Sequence, residues 1–214
     1  DRALRPLFPE DYLCEVQVLI TLISSDEEVM PDSLACLAAS AALAVSDIPI
    51  QEIISEVRIG RVDGNWIVNP TRSELAKSDL EFIIAATDKN IMMVEGEAKE
   101  CQEEDLIKAI ELAHEAIKLQ IKAQADLRNT AGITAKREYT KPYRNEELEK
   151  KINEFAKDKM HAIAASASAK HERSDAFDKL KDEVKVFLGE ELPDEDKVLI
   201  GHYFGELQYQ VGRD

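Results

Sequence analysis

The chain reads as an α+β region over residues 1–130 followed by a small all-α bundle over 131–214. Three observations carry this reading. Strand-type alternation with tight-turn residues is confined to the part before Glu103. Helical spacing runs almost unbroken through the remainder. The charge is also unevenly shared: up to residue 130 there are 12 basic and 25 acidic residues, net −13, and beyond it 15 and 18, net −3. An apolar content of 44% with 33% charged residues is ordinary for a globular chain.

The opening, Asp1-Arg2-Ala3-Leu4-Arg5-Pro6-Leu7-Phe8-Pro9, lacks a charged leader followed by an apolar core, so no cleavable signal is expected and the chain reads as beginning inside a structured region. From Cys14 to Leu22, the residues Cys14, Val16, Val18, Ile20 and Leu22 alternate with Glu15, Gln17, Leu19 and Thr21, which predicts a strand with one buried face. Ser33 to Val45 is Ala-rich and apolar all round, which predicts a helix covered on both sides. Glu56 to Val68 predicts a hairpin, because Asp63-Gly64 supplies the positive φ angles of a tight turn. Thr71-x-x-Glu74 is a capping box for a short helix. Leu80–Ala86 and Ile91–Glu95 form a second strand pair around Asp88-Lys89-Asn90. A long helix is then predicted from Glu103 to Arg128, with Leu106, Ile110, Ala113, Ile117 and Ile121 on one stripe.

Gly132, Thr134, Thr140 and Pro142 mark a connector. Asn145 is placed to cap a helix carrying Leu148, Ile152 and Phe155, with Glu146–Lys150 and Glu147–Lys151 as i,i+4 pairs. A second helix presents Phe177, Leu180, Val184 and Phe187 on one side and stops at Gly189. Pro193 followed by Asp194, Glu195 and Asp196 opens a third.

Several function classes are disfavoured at once. A net charge of −16 gives no overall field for a polyanion, so nucleic-acid contact requires a local basic cluster. With aromatics at only 6%, an autonomous single-strand stacking platform is also disfavoured. Cys14, Cys36 and Cys101 form no CxxC pair and read as buried thiols of a reducing compartment. The histidines at 114, 161, 171 and 202 show no ligand spacing and read as surface or core residues. Leu34 to Val45 is too short to span a bilayer, so no membrane association is expected. No phosphate loop, nucleophile elbow or HExxH motif occurs, and spacing alone supports no catalytic constellation.

Arg2 and Arg5, stiffened by Pro6 and Pro9, are the basic pair that stands out. They read either as phosphate contacts or as internal ion pairs with acids such as Asp1 or Glu10. Lys136, Arg137, Lys141 and Arg144, with Tyr139 and Tyr143, read as a solvated linker.

Taken together and in order, several runs resemble the polynucleotide phosphorylase family: Asp1-Arg2-x-x-Arg5-Pro6-Leu7-Phe8-Pro9, Glu15-Val16-Gln17, Ala39-Ser40-Ala41-Ala42-Leu43 leading to Ser46-Asp47-Ile48-Pro49, Asn69-Pro70-Thr71 with Glu74-Leu75, Met93-Val94-Glu95, and His114-Glu115-Ala116-Ile117. The resemblance extends over essentially the whole chain. It implies that residues 1–130 are the C-terminal part of the first RNase PH-like core domain (ribosomal protein S5 domain 2-like) and that 131–214 are the all-helical domain joining two such cores. It further implies a fragment, the earlier half of this core, a second core and two RNA-binding modules lying outside it. The activity implied is 3′-to-5′ phosphorolysis of single-stranded RNA with inorganic phosphate, releasing nucleoside diphosphates, by a homotrimer that works with Mg2+ and can join RNA-degradation complexes. Bacterial cytoplasm is the default location, and organelle versions of the family exist.

The departures from the family pattern concern this copy's own chemistry. In the catalytic core a serine run opens the helix corresponding to Ser33–Val45 and holds phosphate. Here the run reads Pro31-Asp32-Ser33, which sets a carboxylate at the positive helix end and removes a donor. The family's metal-binding acids lie six residues apart, the later just before a Phe. Aligned on Phe82, these positions are Leu75 and Glu81. One carboxylate is a poor grip for magnesium. Asp32, Ser33, Leu75 and Glu81 therefore mark a lost site. The resemblance implies no catalytic residue and no metal ligand on this chain, with Mg2+ held on the second core, and an isolated fragment without activity. Arg2 and Arg5 then lie near the RNA path, with Ala3, where many relatives have Pro, loosening their segment. The alternative is a degenerate, non-enzymatic scaffold of the same fold.

Overall fold

Antiparallel pairing organises the first half of the protein. In the structure, a computed structural model, residues 1–189 and 191–213 are described. Two compact units are present, Asp1–Lys141 and Pro142–Asp214.

The first unit is α+β. Its strands are β1 (Ser55–Val62), β2 (Asn65–Val68), β3 (Leu80–Ala86) and β4 (Ile91–Ala98), ordered β2-β1-β3-β4 with every neighbour antiparallel. Asp63 and Gly64 both take positive φ, 51° and 77°, as the two-residue turn between β1 and β2 requires. One face of the sheet offers Val57, Ile59, Leu80, Phe82 and Ile84, which pack on Ala109, Ala113, Ile117 and Ile121 of the long helix α3 (Glu103–Thr130). Fully burying each of the larger aliphatic side chains contributes about 1.5–3 kcal/mol, so this stripe is the unit's main source of stability. At Gly96 of β4 an added Cβ would run into the backbone of Glu81 and the ring of Phe82, so only glycine lets β4 pass that close.

The second face receives α1 (Asp32–Ala44) and the opening segment, where Ala3 and Leu7 are buried with Ile54 and Ala85. Two buried polar groups fix the approach to β1. Ser40 Oγ accepts the Ile54 N–H at 3.1 Å, and Gln124 Nε2 donates to the Ile54 carbonyl at 3.0 Å. The capping box at Thr71 opens the one-turn α2 (Arg72–Leu75), with Glu74 returning a 2.7 Å bond to the Thr71 N–H.

Four expectations are corrected here. Cys14–Leu22 forms no strand: it runs extended and largely exposed, because none of the four strands lies beside it to complete a ladder. The helix predicted to be covered on both sides is covered on one. Ser33, Ala39, Ser40 and Leu43 are buried, whereas Leu34, Ala38 and Ala42 face out. Cys14 is exposed rather than buried, since it belongs to that unpaired run. The connector is exposed along most of its length, as a solvated linker is, but it is fastened rather than loose. Lys136 Nζ donates to the carbonyls of Leu43 (2.8 Å) and Ser46 (2.8 Å), and Arg137 pairs with Asp47 at 2.6 Å. The end of α1 is the negative end of its dipole, and an ammonium is favoured there.

The second unit holds α4 (Glu146–Ala165), α5 (Lys170–Leu188) and α6 (Asp194–Val211). Leu148, Ile152, Met160, Leu180, Val184, Tyr203 and Phe204 form its core. Asn145 caps α4 by accepting the Leu148 N–H at 3.1 Å, and its amide donates to Asp196 at 3.0 Å, so one residue ties the start of α4 to α6. Lys150 pairs with Glu154 at 3.9 Å rather than with Glu146. Phe187 sits at the margin of the core, stacked on Phe155 with centroids 4.2 Å apart.

Candidate functional site

The opening arginines are held by small anchors. Ala3 and Leu7 bury themselves against Ile54 and Ala85, while a short 3-10 turn over Arg5–Leu7, with Pro6 presetting its backbone, turns Arg2 and Arg5 outward. Ala3 is thus a packed contact within the segment. Arg2 Nη1 reaches Glu95 of β4 at 2.9 Å, and Arg5 makes a two-point contact with Asp1 at 2.6 and 3.1 Å. All four side chains in these pairs are more than half exposed.

Of the other four residues singled out in the sequence, Asp32 and Glu81 meet on one patch of the sheet's second face, Ser33 is buried next to Asp32, and Leu75 reaches only the hollow beside Glu81. The strand registers place Arg58, Ile83 and Glu95 in one cross-strand row and Gly60, Glu81 and Glu97 in the next. Asp32 is the first residue of α1, beside β1. Its Oδ1 accepts the Ser33 N–H at 2.9 Å, so one of the helix's free donors is satisfied within its own first turn. Ser33 itself is buried. Pro31, preceding it, has no N–H to offer. Leu75 and Glu81 line one hollow of about 380 Å³ together with Asp79 and Glu97.

Between Asp32 and Glu81 lies a side chain the sequence reading missed. The Arg58 guanidinium is only 7% exposed and is bonded through Nη2 to Asp32 and through Nη1 to Glu81. Its Nε is buried without a partner. Nothing in the sequence singles out Arg58, because alternation places it on a named face but does not show which acids cross over to it. Glu56, two residues earlier on β1, has its carboxyl pushed above the usual range, first by burial and then by the charge of Asp32. The patch is therefore crowded with carboxylates even with Arg58 in place.

A magnesium ion prefers oxygen ligands in near-octahedral array and keeps several waters. The residues present do not fit one. Leu75 carries no donor atom, and Asp32 and Glu81 are both committed to a guanidinium. Among the described residues, no group of three or more His, Cys, Asp or Glu is arranged to hold a metal. His114 packs as an ordinary structural histidine, its Nε2 lying 3.0 Å from the Thr87 carbonyl at the β3–β4 turn.

A profile described as "3′ exoribonuclease family, domain 1" matches residues 1–49, and one described as "3′ exoribonuclease family, domain 2" matches residues 52–116. With these two matches in sequence order on the α+β unit, the chain belongs to the 3′ exoribonuclease family. Within it, the whole chain is similar to proteins named polyribonucleotide nucleotidyltransferase. That of Parabacteroides distasonis is 52% identical over 214 residues, that of Christiangramia forsetii 50% over 214, and that of Porphyromonas gingivalis 48% over 213. These alignments take in 100% of this chain and 29%, 28% and 29% of the respective relatives, so the chain spans under a third of their length. No helix among the described residues is long and apolar enough to cross a membrane.

Proposed function

We propose that this chain is the non-catalytic core region and helical domain of a phosphorolytic 3′ exoribonuclease, the whole enzyme converting RNA and inorganic phosphate to nucleoside diphosphates. The reading rests on the names of the relatives and, for this region's own role, on one observation: Asp32 and Glu81 both close on Arg58, while Leu75, lining a hollow with Glu81, offers no donor. By the family pattern these are the positions that would hold phosphate and metal in a catalytic copy. In this reading the magnesium belongs to a second core, and the enzyme is a cytoplasmic homotrimer to whose assembly this region contributes. Arg2 and Arg5 flank the RNA path. Their ion pairs are exposed and hence weak, so each guanidinium can trade its carboxylate for an RNA phosphate at little cost.

Phosphorolysis of poly(A) tests both parts. With phosphate and Mg2+, the chain alone is expected to release no nucleoside diphosphate, and activity is expected to appear when the remaining segments of a relative are supplied. In that reconstituted enzyme, Arg2→Ala with Arg5→Ala is expected to raise KM for RNA while kcat holds. Turnover by the chain alone would overturn the non-catalytic assignment, and an unchanged KM would remove the arginines from the RNA path.

A further inference from the structure

We infer that Arg58 is the resident cation of this patch, a guanidinium occupying the place of a divalent ion and making the fold independent of metal. The inference rests on the non-catalytic reading above and deepens it. Asp32, Glu56, Glu81, Glu95 and Glu97 are gathered by α1 and three strands, and in this structure the positive charges bonded to members of the group are Arg2, at its exposed rim, and Arg58, at its buried centre. Glu81 and Glu97 sit directly opposite each other across β3 and β4, an arrangement that repels unless a cation answers it. Arg58 neutralises the Glu81 member of that pair. Its planar fork engages two carboxylates from two elements at once, joining the first turn of α1 to β3 through β1.

The chemistry has a direct consequence. Removing the guanidinium leaves Asp32 and Glu81 facing a space sized for a cation, with Glu56 nearby, and a hard divalent ion is the simplest replacement. Metal binding to the native state alone then raises stability by mass action.

Thermal melts of the 214-residue chain test this, with and without millimolar Mn2+. The unsubstituted protein is expected to show no shift. Arg58→Ala is expected to melt lower by on the order of 5 °C, since the partly solvated Asp32 and Glu81 lose the buried cation they share, and to recover much of that loss with Mn2+. Arg58→Lys, which keeps one positive charge, is expected to fold with a smaller loss and little response to metal. If Arg58→Ala does not fold without metal, Arg58→Ala combined with Asp32→Asn and Glu81→Gln is expected to fold and to ignore Mn2+. Arg58→Ala with an unaltered midpoint, or a lowered midpoint that Mn2+ does not raise, would overturn the inference while leaving the non-catalytic reading intact. Release of nucleoside diphosphates by the chain alone would overturn that reading whatever the melts show.

Discussion

Glu56 shows how differently the carboxylates around Arg58 are placed. It shares a face of β1 with Arg58, and burial, followed by the charge of Asp32, pushes its carboxyl above 4.5. A carboxyl whose folded value is raised holds its proton more tightly in the native state than in the unfolded chain. Ionised Glu56 therefore costs stability above the folded value, and the cost disappears below the unfolded value of 4.5. Glu56→Gln is expected to melt higher than the unsubstituted chain near neutral pH and to melt with it below pH 4.5. A lower melting point near neutral pH would contradict this. Arg2 and Arg5 stand out in the sequence as a basic pair, whereas Asp32, Leu75 and Glu81 draw notice only through a family pattern. Arg58 was not legible. An arginine between Val57 and Ile59 looks like any outward strand residue, and its role depends on two acids distant in the chain, 26 residues before it in the case of Asp32. Cys36 was legible as a quiet thiol, since burial raises it to about 12 and leaves it without thiolate character.

At the scale of elements, both hairpins and the capped helices were legible because each is specified locally. Asp63-Gly64 sets one turn, Thr71 with Glu74 sets one helix start, and Asn145 sets another. The run from Cys14 to Leu22 departs from its pattern for the opposite reason. Period-2 alternation states that a strand is wanted, but a strand exists only where a neighbour supplies its hydrogen bonds. Here Leu13, Leu19, Leu22 and Ile23 are 75%, 81%, 60% and 94% exposed, an apolar, unpaired stretch of the kind that drives association. The chain is expected to self-associate in sedimentation experiments. Leu19→Lys with Ile23→Lys is expected to shift it toward monomer with an unchanged thermal midpoint, since neither side chain supports the core. A monomer before substitution would contradict that expectation. The outward stripe Leu34, Ala38 and Ala42 on α1 has the same origin: composition gave the helix but not which of its faces is covered.

At the scale of the whole molecule, the two units divide the work of stability differently. The first is a sheet packed on one long helix, and its second face carries the cluster of Arg58 with Asp32 and Glu81. The second is a helical bundle whose start is fixed by the Asn145 and Asp196 contact. The break falls between Lys141 and Pro142 because the stretch before it is fastened to the first unit by Lys136, by Arg137 and by Tyr139, whose hydroxyl donates to Asp11 at 2.5 Å. Apart from the run at Cys14–Leu22, the order of elements follows from periodicity and turn chemistry. The way charges close on one another within the first unit could not, because it is set by the pairing register. Crystals of the chain soaked in Mn2+ and examined by anomalous diffraction address the central claim most directly. No manganese is expected between Asp32 and Glu81, with the Arg58 guanidinium still bonded to both. A manganese ion ligated there by both carboxylates, with Arg58 displaced, would contradict it.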